Sequence, residues 1–226
     1  MNDFTGKVVV VTGAAGALGC AVVTHFAERG ATIAQLDVLG IDNGHYSAGC
    51  DLTDAASCAN AAQTIVSKLG GIDVLANIAG GFTMGEAVHE TSAETWDFMM
   101  GLNAGSVLNM AKAVVPIMLD AGSGKIINIG AGAGQHGVGQ MGAYGASKSV
   151  VIRLTESMSD ELKEHGINVN CVLPSIIDTE RNRADMPDAD FSRWVRPEAM
   201  AEVVGFLASA EADPVHGAAL PVSGLS

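Results

Sequence analysis

Basic side chains are scarce in this sequence: Lys and Arg together number 12 against 25 Asp and Glu, a formal net charge of −13. They are also scattered. Neither a nucleic-acid backbone nor an anionic membrane surface is therefore expected as a partner, since both select clustered Lys and Arg. Cysteine is equally sparse. Cys20, Cys50, Cys58 and Cys171 stand alone, without a CxxC or Cys/His spacing, which argues against zinc or a redox pair and leaves them as reduced small hydrophobes. No apolar run reaches the roughly 20 residues that span a bilayer, and Met1 to Lys7 lacks the charged-then-apolar layout of a signal peptide. A cytoplasmic protein is the expectation. Internal repeats and low-complexity segments are missing too, so one domain over residues 1–226 is the simplest count.

What is present is a regular alternation. "KVVVVTG" (7–13) is a short β-branched run ending in glycine, the mark of a strand buried on both faces, and a helical segment follows to about Arg29. Runs at 31–37, 46–51, 72–80, 124–130, 167–173 and 218–223 read as further strands. Helices are expected between them, from Asp54 to about Leu69, from Ser92 to Met118 as one long helix, from Met141 to His165, and from Pro197 to Ala208. Too few residues separate Asp37 from Asp51 for a crossover helix, so a loop is expected there. Strand–helix alternation from end to end implies a Rossmann-like α/β fold, a doubly wound parallel sheet of about seven strands with helices on both faces. The least regular piece, 174–196, follows a strand's carboxyl end and reads as a substrate lid.

"VTGAAGALG" (11–19) joins the first strand to the first helix, where free backbone N–H groups and the helix dipole favour a phosphate. Gly13 permits the tight turn, and Gly16 and Gly19 allow close approach. Asp37, at the end of the second strand, is placed to accept hydrogen bonds from an adenosine ribose and to repel a 2′-phosphate. With Val38 after it and no Arg or Lys in the turn, NAD(H) is favoured over NADP(H). Tyr144 and Lys148 stand four apart on an expected helix, so the ammonium is expected to lower the phenol's pKa and make it a usable proton donor.

The glycine turn, "NIAG" (77–80), Asn103, YxxxK at 144–148 and "NVNCVLP" (168–174), in that order, resemble the short-chain dehydrogenase/reductase family over essentially the whole chain. The resemblance implies that Tyr144 transfers the proton, that Lys148 tunes it and holds the nicotinamide ribose, and that Asn103 supports a water relay. It places Gly13, Gly16, Ala17, Leu18 and Gly19 at the phosphates, Asp51 and Leu52 at the adenine, and Asn77, Ala79, Gly80, Pro174, Ile176 and Thr179 along the rest of the cofactor. A homodimer or homotetramer built on the 92–118 and Tyr144 helices is implied by the same resemblance, as is a small-molecule substrate.

The departures are informative. Gly16-Ala17 stands where the family has Ala or Ser and then Gly, Ile78 replaces the second Asn of NNAG, and Ser175 replaces the glycine after the proline. The serine expected 13 positions before the tyrosine falls on Ala131, flanked by Gly130 and Gly132. Losing that donor costs on the order of 10² to 10³ in rate where a localised oxyanion develops. The dihydropteridine reductase branch of the family does without it, and this sequence is similar to that branch in "GALG" (16–19), in Leu36-Asp37-Val38, in "AGG" (79–81) and in "VLPSIIDTERNRADMPDADFSRW" (172–194). A quinonoid dihydropterin takes hydride into a conjugated ring, so the serine matters less. Two alternatives stand beside that reading: an NAD-dependent carbonyl reductase or alcohol dehydrogenase in which a water, Gln135 or His136 replaces the serine, and a non-catalytic NAD(H) sensor. Trp194, Phe191, Met186 and Met141 are read either as an aromatic pocket wall or as packing of the lid, and Arg181 and Arg183 as a solvated face.

Overall fold

A computed structural model describes residues 3–226. Seven strands form one parallel sheet: β1 Val8–Thr12, β2 Thr32–Asp37, β3 Tyr46–Gly49, β4 Val74–Asn77, β5 Gly124–Ile129, β6 Ile167–Pro174 and β7 Ala219–Val222, in the order β3-β2-β1-β4-β5-β6-β7. The order reverses between β1 and β4. Every strand points the same way, so all carboxyl ends share one edge, and the reversal opens a crevice there.

The period-two geometry of a strand explains why the apolar runs are continuous. Val9 and Val11 of β1 pack on one side with Phe26 and Val22 of helix α1 (Ala17–Ala27) and Val204 of α7 (Pro197–Ala208). Val8 and Val10 pack on the other with Ile65 of α2 (Ala55–Leu69) and with Met110, Val114 and Met118 of α4 (Ser106–Ala121). Each such fully buried side chain is worth about 1.5–3 kcal/mol. Caps set the helix limits. Asp54 accepts the Ala56 N–H at the start of α2, Ser92 accepts the Thr95 N–H at the start of α3 (Ala93–Met99), and Gly70 and Gly122 close α2 and α4 with φ of 94° and 66°.

The expected single helix over 92–118 is interrupted. Between α3 and α4, residues Met100–Gly105 form π-helical turns, and helical structure continues to Ala121. The stretch Ala93–Ala121 is long and apolar enough by length and composition to cross a membrane, although no uninterrupted apolar run had been apparent. Here one side of it packs into the core, with Met99, Val107, Met110, Val114 and Met118 inward, and Trp96, Phe98, Leu108 and Leu119 remain exposed. Helix α5 (Gly142–Leu162) carries Tyr144 and Lys148 as expected, and the 37–51 connection has no helix. Segment 174–196 is better ordered than its composition suggested. It contains α6 (Glu180–Asp185), and its ends are stitched together by Asp178 N–H to Val195 C=O (2.8 Å) and Val195 N–H to Ile176 C=O (3.0 Å).

Candidate active site

The glycine turn after β1 is shaped by close approach. Gly13 has φ of 65°, and a Cβ there would lie 2.8 Å from the Ala79 Cα; a Cβ at Gly19 would lie 2.8 Å from the Ala14 Cα and collide with the Gly13 carbonyl. Gly16 differs. A Cβ there would meet only the Gly13 oxygen at 3.4 Å, so its space opens away from the protein, in front of the N-terminus of α1, where Ala17 and Leu18 begin the helix without a side-chain cap. That terminus can take a phosphate.

Asp37 does more than was expected of it. Its Oδ2 accepts the Ala15 N–H and its Oδ1 the Leu39 N–H, both at 3.0 Å, so the carboxylate fastens the glycine turn and retains lone pairs for further donors. Thr12, which the sequence reading missed, ties the turn to the next one: its hydroxyl accepts from Ile78 N–H (3.0 Å) and Ala79 N–H (3.2 Å). Its sole signal was its place at the strand end before Gly13. Below it, buried Asn77 donates to Asn128, and Asn128 to Thr155. Asp51 is exposed and holds Thr53 through Oδ1, while Leu52 is buried with its carbonyl accepting from Asn109 (3.0 Å).

Across the crevice the π turns deliver Asn103, 1% exposed, to the end of β4. Its Oδ1 accepts the Gly81 N–H (2.9 Å), and its Nδ2 donates to the Gly81 carbonyl (3.1 Å) and to Ser147 Oγ (2.9 Å). Ser147 in turn donates to the Tyr144 carbonyl (2.8 Å). Gly80 lies where these groups converge: a Cβ there would sit 2.9 Å from Asn103 Oδ1 and 3.2 Å from Lys148 Nζ.

The electrostatics correct one expectation. The Lys148 ammonium donates to the Ile129 carbonyl (2.8 Å), and burial lowers its pKa to about 8. Burial of Tyr144 raises its pKa to about 12 instead of the ammonium lowering it, because desolvation of the phenolate dominates. The Phe82 ring stands edge-on to the Tyr144 ring, with centroids 4.9 Å apart. Ala131 is buried just beyond β5, and a methyl group cannot donate a hydrogen bond. Gln135 and His136 are exposed on the following loop, and among the described residues no hydrogen bond joins either side chain to Tyr144.

Pro174 ends β6 at the same edge of the sheet, Ile176 follows, and Thr179 caps α6 by accepting the Asn182 N–H. Of the four residues read as wall or packing, Trp194 is 7% exposed with its ring tilted 52° to that of Phe191 at a centroid distance of 4.8 Å, which is packing within segment 174–196, while Met186 is exposed. Arg183 is not simply solvated. It pairs with Asp178 through two bonds (2.6 and 2.8 Å) and lies over the Phe191 ring, whereas Arg181 reaches Asp185 at 3.8 Å on the surface.

The family model for short chain dehydrogenase matches residues 7–190. The chain is 34% identical to D-threitol dehydrogenase of Mycolicibacterium smegmatis, over 97% of this chain and 92% of that one. It is also 34% identical to 3-oxoacyl-(acyl-carrier-protein) reductase FabG of Vibrio cholerae, over 98% of each. Among solved structures, carveol dehydrogenase from Mycobacterium avium in complex with NAD superposes with a TM-score of 0.89 at 27% identity, covering 99% of this chain and 98% of that one. A chain described as gox2181 does so with 0.91 at 29%, covering 98% and 96%. On the family match and these relatives, the chain belongs to the short-chain dehydrogenase family.

Proposed function

We propose that the protein is an NAD(H)-dependent oxidoreductase that reduces a conjugated acceptor of the quinonoid dihydropteridine type, with Tyr144 giving the proton. The residues present fit the dinucleotide. Gly16 leaves room before the α1 N-terminus, Asp37 has free acceptor sites that would suit a ribose and a charge that disfavours a 2′-phosphate, and the carboxyl ends of β4 and β6 bring Asn77, Ala79, Gly80, Pro174, Ile176 and Thr179 to one edge. When bound, NADH supplies the hydride. Lys148 puts a buried positive charge one helical turn from the tyrosine and would hold the nicotinamide ribose. Asn103 fixes Gly81 against α5 and keeps the tyrosine's backbone in place through Ser147, the support its relay role needs. A phenol at about 12 is protonated at neutral pH, so it carries the proton that a reduction consumes.

The observation that carries the choice of acceptor is Ala131. No hydroxyl is supplied there to a localised oxyanion, and a conjugated ring spreads the charge that the missing donor would have met. A second reading is favoured by the relatives named for D-threitol and 3-oxoacyl substrates: an NAD-dependent carbonyl reductase or alcohol dehydrogenase. The test follows NADH oxidation with quinonoid dihydropterin beside ketones and aldehydes, with NADPH as the cofactor control. Fast pterin-dependent oxidation supports the first reading, and turnover confined to carbonyls replaces it with the second. The segment 174–196 serves as the lid over this site, and the assembly is a homodimer or homotetramer through α3, α4 and α5.

A further inference from the structure

We propose that Phe82 is a specificity-determining residue whose ring forms the wall that holds a flat, conjugated acceptor beside the Tyr144 phenol. The proposal rests on the reading of Tyr144 as the proton donor and names the class of molecule that its site takes.

Phe82 is a large apolar side chain that remains 43% exposed. An exposed phenylalanine on a loose loop carries no meaning, but this one is fixed. The residue before it, Gly81, is gripped through both its N–H and its carbonyl by Asn103, which itself reaches helix α5 through Ser147. Further along, the Gly85 N–H donates to the Gln140 carbonyl (2.9 Å), just before α5. Gln140 holds φ of 62°, the one positive φ outside glycine among the described residues, a conformation that costs about 1–2 kcal/mol. Val88 then closes over Gly142, where a Cβ would lie 2.9 Å from its Cγ2. The loop is thus fastened at three points to the segment that carries the tyrosine.

The geometry of the pair is specific. The two rings are nearly perpendicular, at 86° with centroids 4.9 Å apart, so Phe82 flanks the phenol without covering its hydroxyl by stacking. Met84 and Val138, 55% and 42% exposed, extend the apolar surface of the same two loops. A phenyl ring offers area and a quadrupole and no hydrogen bond. It recognises a π system and is indifferent to a polyhydroxylated chain. It also keeps water from one side of the phenol, in keeping with a tyrosine whose burial raises its pKa to about 12.

Two measurements test this. The first is calorimetric binding of oxidised pterin to the NADH-saturated protein, which needs no turnover. Phe82→Ala is expected to weaken the pterin roughly five- to tenfold, the scale of one aromatic pair, with NADH affinity unchanged and with Phe82→Tyr retaining wild-type binding. In turnover, the KM for quinonoid dihydropterin rises alike, while that for a short aliphatic ketone stays within about twofold. The second uses a Tyr46→Phe background, in which Tyr144 is the remaining tyrosine of two. Titration of phenolate absorbance there should show Phe82→Ala moving the midpoint down from about 12 toward 10. An unchanged pterin affinity, no pterin binding at all, an equal loss for both acceptors, or an unmoved midpoint overturns the proposal. Pterin that binds through Phe82 but is never reduced sinks the proton-donor reading and leaves Phe82 in its role.

Discussion

A buried lysine and a half-buried tyrosine four residues apart both have pKa values moved by desolvation toward the neutral form, yet at neutral pH only the tyrosine is neutral and the lysine keeps its proton and charge. Lys148 is lowered from 10.5 to about 8, so between these values the unfolded chain holds a proton that the folded chain has released, and stability rises with pH across that window. Below pH 8 the full cost of the buried ammonium is present, about 3 kcal/mol. Tyr144 works in the opposite sense: raised from 10 to about 12, it removes stability as pH climbs past 10. Lys148→Met is accordingly expected to raise the stability of the ligand-free protein at pH 7 by about 2 kcal/mol in denaturant titration, once the lost bond to Ile129 is deducted, while turnover falls to background. Tyr144→Phe should lower kcat by at least about 10²-fold and leave the Kd for NADH unchanged, as read by nucleotide fluorescence. Ala131→Ser tests the acceptor from the other side. It should raise kcat/KM for ketones by about 10-fold or more and leave quinonoid dihydropterin within about twofold.

Whole elements are held to each other at single points. Thr12 is the one through which β1 carries the turn after β4, and Thr12→Val leaves the Ala79 N–H without its acceptor and the buried Ile78 N–H with the Ala76 carbonyl alone. It should lose about 2 kcal/mol of stability and weaken NADH, measured by thermal shift with and without cofactor. Helices α1 and α7 meet with His25 against Gly205: Nε2 is buried without a hydrogen-bond partner and fills the space a Cβ of Gly205 would need. Burial, then the nearby Arg29, lowers the pKa of His25 below 6.5, with Glu28 and Glu202 opposing. Because the unfolded histidine takes up its proton first, stability is complete above pH 6.5 and falls as pH drops below it. His25→Gln should flatten the pH dependence of Tm in that range. The π turns at Met100–Gly105 had no counterpart in the sequence reading, since the 92–118 stretch is apolar on more than one side and gives no phase from which an extra residue per turn can be seen.

The whole molecule leaves several large apolar side chains of one helical stretch uncovered. Trp96, Phe98, Leu108 and Leu119 of α3 and α4 are 45%, 56%, 42% and 40% exposed, a surface a second copy would bury. Light scattering should find a dimer or tetramer, and Trp96→Glu with Phe98→Glu should shift it toward monomer. At this scale the sequence was most legible. Valine-rich runs such as 8–12 are buried on both faces, so their hydrophobicity is continuous and their order along the chain implies the sheet. Glycines were legible where a Cβ would strike backbone, as at Gly13 and Gly19. What escaped notice were long-range polar ties, among them Thr12 to Ile78 and Asn109 to Leu52, whose partners lie 66 and 57 positions apart and leave no local pattern. Phe82 escaped too, since nothing near it in the chain distinguishes a ring at a site from a ring in a loop.

The double use of Asp37 constrains how this protein's descendants can change. A lineage drifting toward a phosphorylated dinucleotide would discard the acid, and in doing so it unfastens Ala15 of the glycine turn, the turn proposed to take the pyrophosphate. Selectivity and grip are thus inherited as one trait, and a second substitution that anchors the Ala15 N–H has to arise before, or together with, the first.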